Sequence, residues 1–141
     1  MLAPKLNNKS HSILIVEDNA ADVRLIREAL SQEHVDCDLR VVKDGALAIE
    51  VLDQIDADDS YPCPELILLD LNLPKVTGEE VLKRVRSSCK SDQIKVLIVS
   101  SSNAPSDKER VMKLGATDYF RKPSSLDQFM MLGPKVRSLL P

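Results

Sequence analysis

The chain has 141 residues, of which 43% are hydrophobic and 29% charged, and this composition favours one globular domain over a disordered chain. The formal charge of −3 disfavours general binding to nucleic acids, which requires a basic surface. The apolar runs are too short to span a membrane, and the polar N-terminal segment has no apolar stretch of the kind found in signal peptides. A cytoplasmic protein is therefore expected.

The apolar residues alternate along the chain between strand-like runs and helical spacing. Uninterrupted runs such as Ile13–Val16 and Leu66–Leu69 are typical of strands that are buried on both faces. In chain order, strands are predicted at 13–16, 37–42, 66–69, 94–99 and 117–120, and helices at 20–33, 46–54, 79–88, 106–114 and 126–140. Five strands alternating with five helices predict an α/β fold with one doubly wound parallel sheet. We expect a flexible tail over residues 1–11, one domain over residues 12–141, and no output domain.

Local signals mark several helix ends. Asp44 is a candidate N-cap of the second helix, and Ser124 or Ser125 of the last one. Gly115 is a candidate C-terminal cap of the fourth helix. Gly133-Pro134 interrupts the final helical pattern, so that helix is expected to bend or to begin again there.

Cysteine and histidine give little functional signal. The cysteines are three in number, widely spaced and without a C-x-x-C pair, so we predict reduced thiols at Cys37, Cys63 and Cys89. His11 and His34 have no neighbouring group in the sequence that would orient them for catalysis.

Polar residues follow the apolar strands at positions where a parallel sheet would bring them to one edge. Glu17 and Asp18 follow the first strand, and Asp70 follows the third. Three carboxylates at one edge repel each other and suit Mg²⁺ or Mn²⁺. Lys122 follows the fifth strand and can neutralise phosphoryl oxygens, and Ser100 after the fourth can donate a hydrogen bond to one. A single aspartate at the end of a strand is usually a turn residue, and a single lysine is usually a surface group. Together, however, these residues predict a phosphoryl-transfer site.

The chain resembles the receiver domains of two-component response regulators, which are flavodoxin-like phosphoacceptor modules. The resemblance covers residues 13 to about 139. The residues that carry it are Ile15 to Asn19, Leu69 to Pro74 with Gly78, Ser100, and Lys122-Pro123. The sequences of residues 17–26 and 122–127 resemble those of the single-domain regulators paired with bacterial phytochrome histidine kinases.

This resemblance implies a role for each residue of the predicted site. Asp70 would attack the phosphoryl group of a kinase phosphohistidine and become an aspartylphosphate. Asp18, Asp70 and the main-chain carbonyl of Asn72 would bind Mg²⁺, with Glu17 acting directly or through a metal-bound water. Lys122 would pair with the phosphoryl oxygens.

The resemblance also implies a conformational switch and a set of partners. Ser100 would be the switch hydroxyl, with Tyr119 as its aromatic partner, and Asn72 and Ser102 would tune dephosphorylation. The Lys122–Pro123 bond is expected to be cis. The expected partners are a sensor histidine kinase and a downstream protein, without DNA or membrane. The last helix has more apolar residues than one core-facing stripe requires, which suggests a homodimer through the fourth helix, fifth strand and fifth helix.

Three alternative functions share features with this site. A receiver-like scaffold that binds partners without phosphorylation would be expected to lack Asp70, Asp18 or Lys122, and all three are present. A phosphatase of the haloacid dehalogenase type needs a carboxylate at the position of Asn72. A flavin carrier needs a Ser/Thr/Gly-rich loop after the first strand, where this chain has Glu17 and Asp18. A phosphoacceptor that catalyses only its own phosphorylation and dephosphorylation is the favoured interpretation.

Overall fold

The computed structural model describes residues 10–88 and 90–141. Residues 1–9 of the predicted N-terminal tail lie outside the described residues, and so does Cys89. The strands are β1 (His11–Val16), β2 (Cys37–Val42), β3 (Leu66–Leu69), β4 (Lys95–Ser100) and β5 (Asp118–Arg121). The helices are α1 (Ala20–Gln32), α2 (Gly45–Ala57), α3 (Gly78–Arg86), α4 (Pro105–Lys113), α5 (Leu126–Phe129) and α6 (Leu132–Leu139), with a short 3₁₀ turn at Ser91–Gln93.

The strands form one parallel sheet in the order β2-β1-β3-β4-β5. The apolar runs of β1, β3 and β4 are uninterrupted because both faces of these central strands are covered. The edge strand β2 instead alternates half-buried with exposed residues over most of its length. The predicted doubly wound α/β sheet is confirmed.

Two hydrophobic clusters lie on opposite faces of this sheet. Helices α2, α3 and α4 pack on one face, with Leu52, Leu82 and Val111 fully buried there. Helices α1, α5 and α6 pack on the other face, through residues such as Ile26 and Val136. This two-layer covering holds the five strands in register and fixes where their carboxyl ends lie.

Several helix ends follow the local signals in the sequence. The Asp44 side chain accepts a hydrogen bond from the Leu47 N–H at 2.8 Å, and Ser125 accepts one from Gln128. Gly115 follows α4 with a φ of +108°, a left-handed conformation that glycine adopts without a steric penalty. These predicted caps are confirmed.

Helix α2 extends past the predicted end at residue 54 to Ala57. Ile55 is 3% exposed, so it continues the buried stripe of the helix. The Asp56 carboxylate accepts hydrogen bonds from Arg84 and Ser88, which attach the last turn to the α3 side of the fold. These tertiary contacts outweigh the acidic and proline-containing, loop-like composition of residues 55–65, of which the helix includes the first three.

The final helix differs from the single helix predicted at 126–140. It divides into α5 and α6, with the break at Met130-Met131 rather than at Gly133-Pro134. Pro134 then lies in the first turn of α6, where a missing N–H costs no intrahelical hydrogen bond. The proline is thus accommodated by a new helix start two residues earlier.

The expectation of a cis bond before Pro123 is wrong, because the described peptide bonds are all trans. The trans form is the preferred one for most X–Pro bonds. The Lys122 N–H donates to the Ser100 carbonyl at 2.7 Å, so the backbone already directs this residue to the sheet edge.

Each helix among the described residues is too short or too polar to span a membrane.

Candidate functional site

The carboxyl ends of the parallel strands bring the predicted site residues together. The Glu17 N–H donates to the Val42 carbonyl at 3.0 Å, and the Asp70 N–H to the Val16 carbonyl at 3.1 Å. These bonds continue the strand ladders by one residue, so the residue just beyond each strand is still held by the sheet. The acids therefore project from a rigid edge rather than from a loop.

Glu17, Asp18 and Asp70 form an acid cluster in which one carboxylate oxygen from each residue lies within 4.8 Å of the others. Glu17 and Asp70 are buried, at 2% and 6% exposed, whereas Asp18 is exposed. A set of oxygen ligands with one open side is the chemistry that suits Mg²⁺ or Mn²⁺, which retain bound waters. The donor set therefore fits a hard divalent cation.

The Lys122 ammonium lies among the acids. Its Nζ is 2.8 Å from Glu17 Oε1, 2.8 Å from Asp22 Oδ2 and 3.4 Å from Asp70 Oδ2. The lysine side chain is 10% exposed, so these contacts are largely shielded from water. An ammonium group has three N–H donors, and all of them have a carboxylate within reach.

The ionisation of this pair reflects its burial. Burial raises the pKa of Glu17 to about 7, and the negative charge of Asp70 adds to the rise, while the hydrogen bond from Lys122 opposes it. Burial works against the charge of Lys122, but hydrogen bonds to Asp22 and Glu17 outweigh it and raise the lysine pKa. The lysine is therefore cationic throughout the physiological range, and the acids exceed it in number.

Asp22 contacts Lys122, which the sequence does not predict. It lies in the first turn of α1, where the Asn19 side chain caps the helix by accepting from the Ala21 and Asp22 N–H groups. The Asn19 N–H in turn donates to Glu17 Oε2 at 3.1 Å. The only sequence signal was an acid in the first turn after β1, which is ordinarily explained by the helix dipole.

The loop after β3 holds Asp70 from the other side. The Asn72 N–H donates to Asp70 Oδ1 at 3.3 Å, and Asn72 itself is exposed. Gly78 packs directly on this segment, and a Cβ there would lie 2.3 Å from the Asp70 carbonyl oxygen. A side chain at Gly78 would therefore displace the backbone that carries Asp70.

A hydroxyl network (Ser100, Ser102, Asp107 and Tyr119) occupies the β4–β5 side of the same edge. Ser100 is fully buried, and its Oγ accepts from the Ser102 N–H at 3.2 Å. The Tyr119 hydroxyl donates to the Ser102 carbonyl at 2.9 Å, and the Ser102 hydroxyl donates to Asp107 Oδ2 at 2.5 Å. Ser100 and Tyr119 thus both contact Ser102, and the structure records no direct hydrogen bond between these two described side chains.

Comparison with known proteins identifies the family. The model of the response regulator receiver domain matches residues 13–132. The chain belongs to this family. A receiver domain is a signalling module, and the predicted resemblance is confirmed.

The similar proteins include response regulators, one of which is a phytochrome response regulator of known structure. The response regulator Rcp1 of Synechocystis sp. is 36% identical over 127 residues, which are 89% of this chain and 86% of that protein. The crystal structure of the phosphorylated cyanobacterial phytochrome response regulator RcpA is 35% identical, covers 94% of each chain and has a TM-score of 0.83. The Mn²⁺-bound form of Rcp1 is 33% identical, covers 93% of this chain and 99% of that one, and has a TM-score of 0.81.

Proposed function

We propose that this receiver domain accepts a phosphoryl group on Asp70 from the phosphohistidine of a partner histidine kinase. The observation that carries the proposal is the buried Asp70 carboxylate, which lies within one acid cluster and 3.4 Å from the Lys122 ammonium. An Asp70 oxygen attacks phosphorus, the phosphorus–nitrogen bond breaks, and the histidine nitrogen keeps the electron pair and takes up a proton. The products are an aspartylphosphate and a free histidine.

Mg²⁺, or Mn²⁺ in its place, would be held by Asp18, Asp70 and the main-chain carbonyl of Asn72, with Glu17 bound directly or through water. When bound, the cation neutralises phosphoryl oxygens as they approach the acids. The composition of the acid cluster supports this proposal, as does the Mn²⁺-bound form of the related Rcp1. The Lys122 ammonium pairs with a phosphoryl oxygen, and the Ser100 hydroxyl donates to another.

The hydroxyl network would carry the phosphorylated state to the surface. If the Ser100 hydroxyl turns to the phosphoryl group, the Ser102 N–H loses its acceptor and the β4–α4 loop is free to rearrange. Tyr119 is tied to that loop by the bond to the Ser102 carbonyl. Ser100 and Tyr119 are therefore proposed as the switch pair, with Asn72 and Ser102 as residues that tune dephosphorylation.

The relatives suggest a kinase of the phytochrome type. We propose that the receiver domain then signals through contacts with another protein.

The alternative to a phosphoacceptor is a receiver-like scaffold that functions without phosphorylation. That alternative would leave unexplained why two buried acids, Glu17 and Asp70, are kept in contact with a largely buried lysine, where unneeded charges are costly.

A homodimer through α4, β5 and the α5–α6 segment is also proposed. Large apolar side chains are exposed on or beside these helices, with Leu126 and Met131 each 60% exposed and Met112 38%. We expect light scattering at micromolar concentration to give a larger dimer fraction with Mg²⁺ and beryllium fluoride, a phosphoryl mimic. A monomer under both conditions would rule out the dimer without affecting phosphorylation.

The phosphoacceptor proposal is tested by incubating the protein with acetyl phosphate and Mg²⁺ and weighing it intact. We expect one added phosphoryl group on the wild type and none on Asp70→Asn, and none on the wild type when a chelator removes the metal. Asp59→Asn is the matched control, because the Asp59 side chain is 91% exposed and lies outside the acid cluster. Labelling of Asp70→Asn at the wild-type level would contradict the proposal.

A further inference from the structure

The three carboxylates that contact Lys122 fall into two groups. Glu17 and Asp70 belong to the acid cluster, whose members lie within 4.8 Å of each other. Asp22 contacts the lysine as closely as Glu17 does, at 2.8 Å, but is not a member of that cluster. Asp22 is thus the one of these three partners whose carboxylate remains free for the lysine when a cation occupies the cluster.

A divalent cation in the cluster changes the surroundings of the lysine. It attracts the oxygens of Glu17 and Asp70 and repels the Lys122 ammonium, which carries the same sign of charge. The lysine then needs an anion outside the cluster to remain within reach of Asp70. Asp22 meets this need, because its N–H donates to the Asn19 side chain at 3.1 Å and fixes the residue in the first turn of α1.

We propose that Asp22 is a positioning residue that holds the Lys122 ammonium beside Asp70 while the divalent cation is bound. With a cation in the cluster, the Glu17 carboxylate would no longer be available to the lysine, one N–H of Lys122 would stay on Asp22, and the N–H released by Glu17 would turn to a phosphoryl oxygen. Asp22 touches neither the cation nor the phosphoryl group and acts through Lys122. This inference rests on the proposed function and adds a residue to it.

The opposite role would be a competitor that holds Lys122 away from the phosphoryl group. The contacts favour the anchoring role, because Glu17 offers an equally short contact and is the partner that the cation removes. The lysine therefore gains a free N–H for the phosphoryl group without leaving Asp22. The two roles predict changes of opposite sign when Asp22 is neutralised.

The test is the affinity for beryllium fluoride at saturating Mg²⁺, measured by ¹⁹F NMR. We expect Asp22→Asn to weaken binding about tenfold, as for the loss of a charge-assisted hydrogen bond that positions the lysine. Asp22→Glu should restore part of the affinity. The control Glu28→Gln removes the same charge from an exposed position on α1 and should leave the affinity within about twofold of the wild type.

A double-mutant cycle shows whether Asp22 acts through the lysine. In a Lys122→Met background, Asp22→Asn should produce no further loss of affinity. A second measurement serves if binding to the Lys122→Met variants is too weak to detect: the Nζ protons of Lys122 in the Mg²⁺-saturated protein, followed by ¹H–¹⁵N NMR. These protons should exchange with water about tenfold faster in Asp22→Asn than in the wild type.

The outcomes separate this inference from the proposed function. No binding of beryllium fluoride by the wild type would overturn both. Wild-type or tighter binding by Asp22→Asn, or a loss that persists in the Lys122→Met background, would overturn the role of Asp22 alone. Unchanged exchange of the lysine protons would overturn it as well. Asp22→Ala provides a second neutral variant if Asp22→Asn does not fold.

Discussion

The two halves of the functional edge differ in how their polar groups are satisfied. On the β1–β3 side, a single lysine contacts Glu17, Asp22 and Asp70, and Glu17 and Asp70 are buried. On the β4–β5 side, the hydroxyl network is built mainly from neutral groups that bond to the backbone of one loop. The first half carries an excess of negative charge that a bound cation would offset, whereas the second half can exchange one neutral hydrogen bond for another at little cost.

This contrast matches the two tasks of a receiver domain. In the proposed function the charged half would bind a cation and a phosphoryl group at fixed positions, and the sheet ladder that holds Glu17 and Asp70 provides the rigidity for this. The hydroxyl network would change conformation in response. Its link between Ser102 and Tyr119 joins a loop to an edge strand, so a small change at Ser100 can reach the surface.

The largest expected effect comes from removing the positive charge of the first half. Lys122→Met leaves Glu17 and Asp70 without their buried counterion, and we expect the free energy of unfolding at pH 8 without Mg²⁺ to fall by about 3 kcal/mol. Saturating Mg²⁺ should recover part of this loss, because the cation replaces the missing charge. Urea unfolding with and without Mg²⁺ measures both effects.

Lys135→Met is the matched control for this change. Lys135 pairs with Asp118 at 2.9 Å, but both side chains are 36% exposed, so its loss should cost less than about 1 kcal/mol. Its unfolding should also respond to Mg²⁺ as the wild type does. Equal losses for the two lysine variants would show that the charged half is not distinguished by burial.

The next effect is a pH dependence from Glu17. Its folded-state pKa of about 7 lies above its ordinary value of 4.5, so between these values the folded protein holds a proton that the unfolded chain has released. Without Mg²⁺, stability should therefore fall as pH rises from about 4.5 to about 7 and then level off, with a loss below about 3 kcal/mol. Saturating Mg²⁺ should reduce this fall by favouring the ionised carboxylate.

The variant Glu17→Gln isolates this contribution. Because glutamine does not titrate, the difference in unfolding free energy between wild type and variant should depend on pH in this window and be constant above it. Other titrating groups are common to both proteins, so the difference reports mainly on Glu17. A difference that does not change between pH 5 and pH 8 would contradict the raised pKa of Glu17.

The smallest effect is expected in the hydroxyl network. Tyr119→Phe removes the hydrogen bond to the Ser102 carbonyl, which should lower the unfolding free energy by about 1 kcal/mol. Phosphorylation by acetyl phosphate should continue, since the charged half is unchanged. A Tyr119→Phe protein that no longer becomes phosphorylated would show that the two halves are not separable in this way.

The sequence predicts much of this architecture because central parallel strands leave a strong signal. The aliphatic runs of β1, β3 and β4 identify the strands, and the residue that follows each run identifies the site. The break at Met130-Met131 has no such signal, since apolar residues continue across it and the Gly-Pro pair that follows suggests a different position. The trans bond at Pro123 likewise departs from the family resemblance.

Asp22 shows where sequence reasoning stops. A first-turn aspartate is so often explained by the helix dipole that its type and position carry no further information. Its contact with Lys122 joins residues 100 positions apart and depends on how α1 lies against the end of β5. Only the side-chain geometry at that junction brings the pair together.

The central claim, that Asp70 of the charged half accepts the phosphoryl group, is tested most directly by locating the modified residue. After incubation with acetyl phosphate and Mg²⁺, reduction with borohydride converts an acyl phosphate to an alcohol and leaves homoserine at the phosphorylated aspartate. Peptide mass spectrometry should then find homoserine at position 70 and nowhere else. Homoserine at position 18, or unmodified Asp70 in a protein that carries the phosphoryl group, would contradict the account.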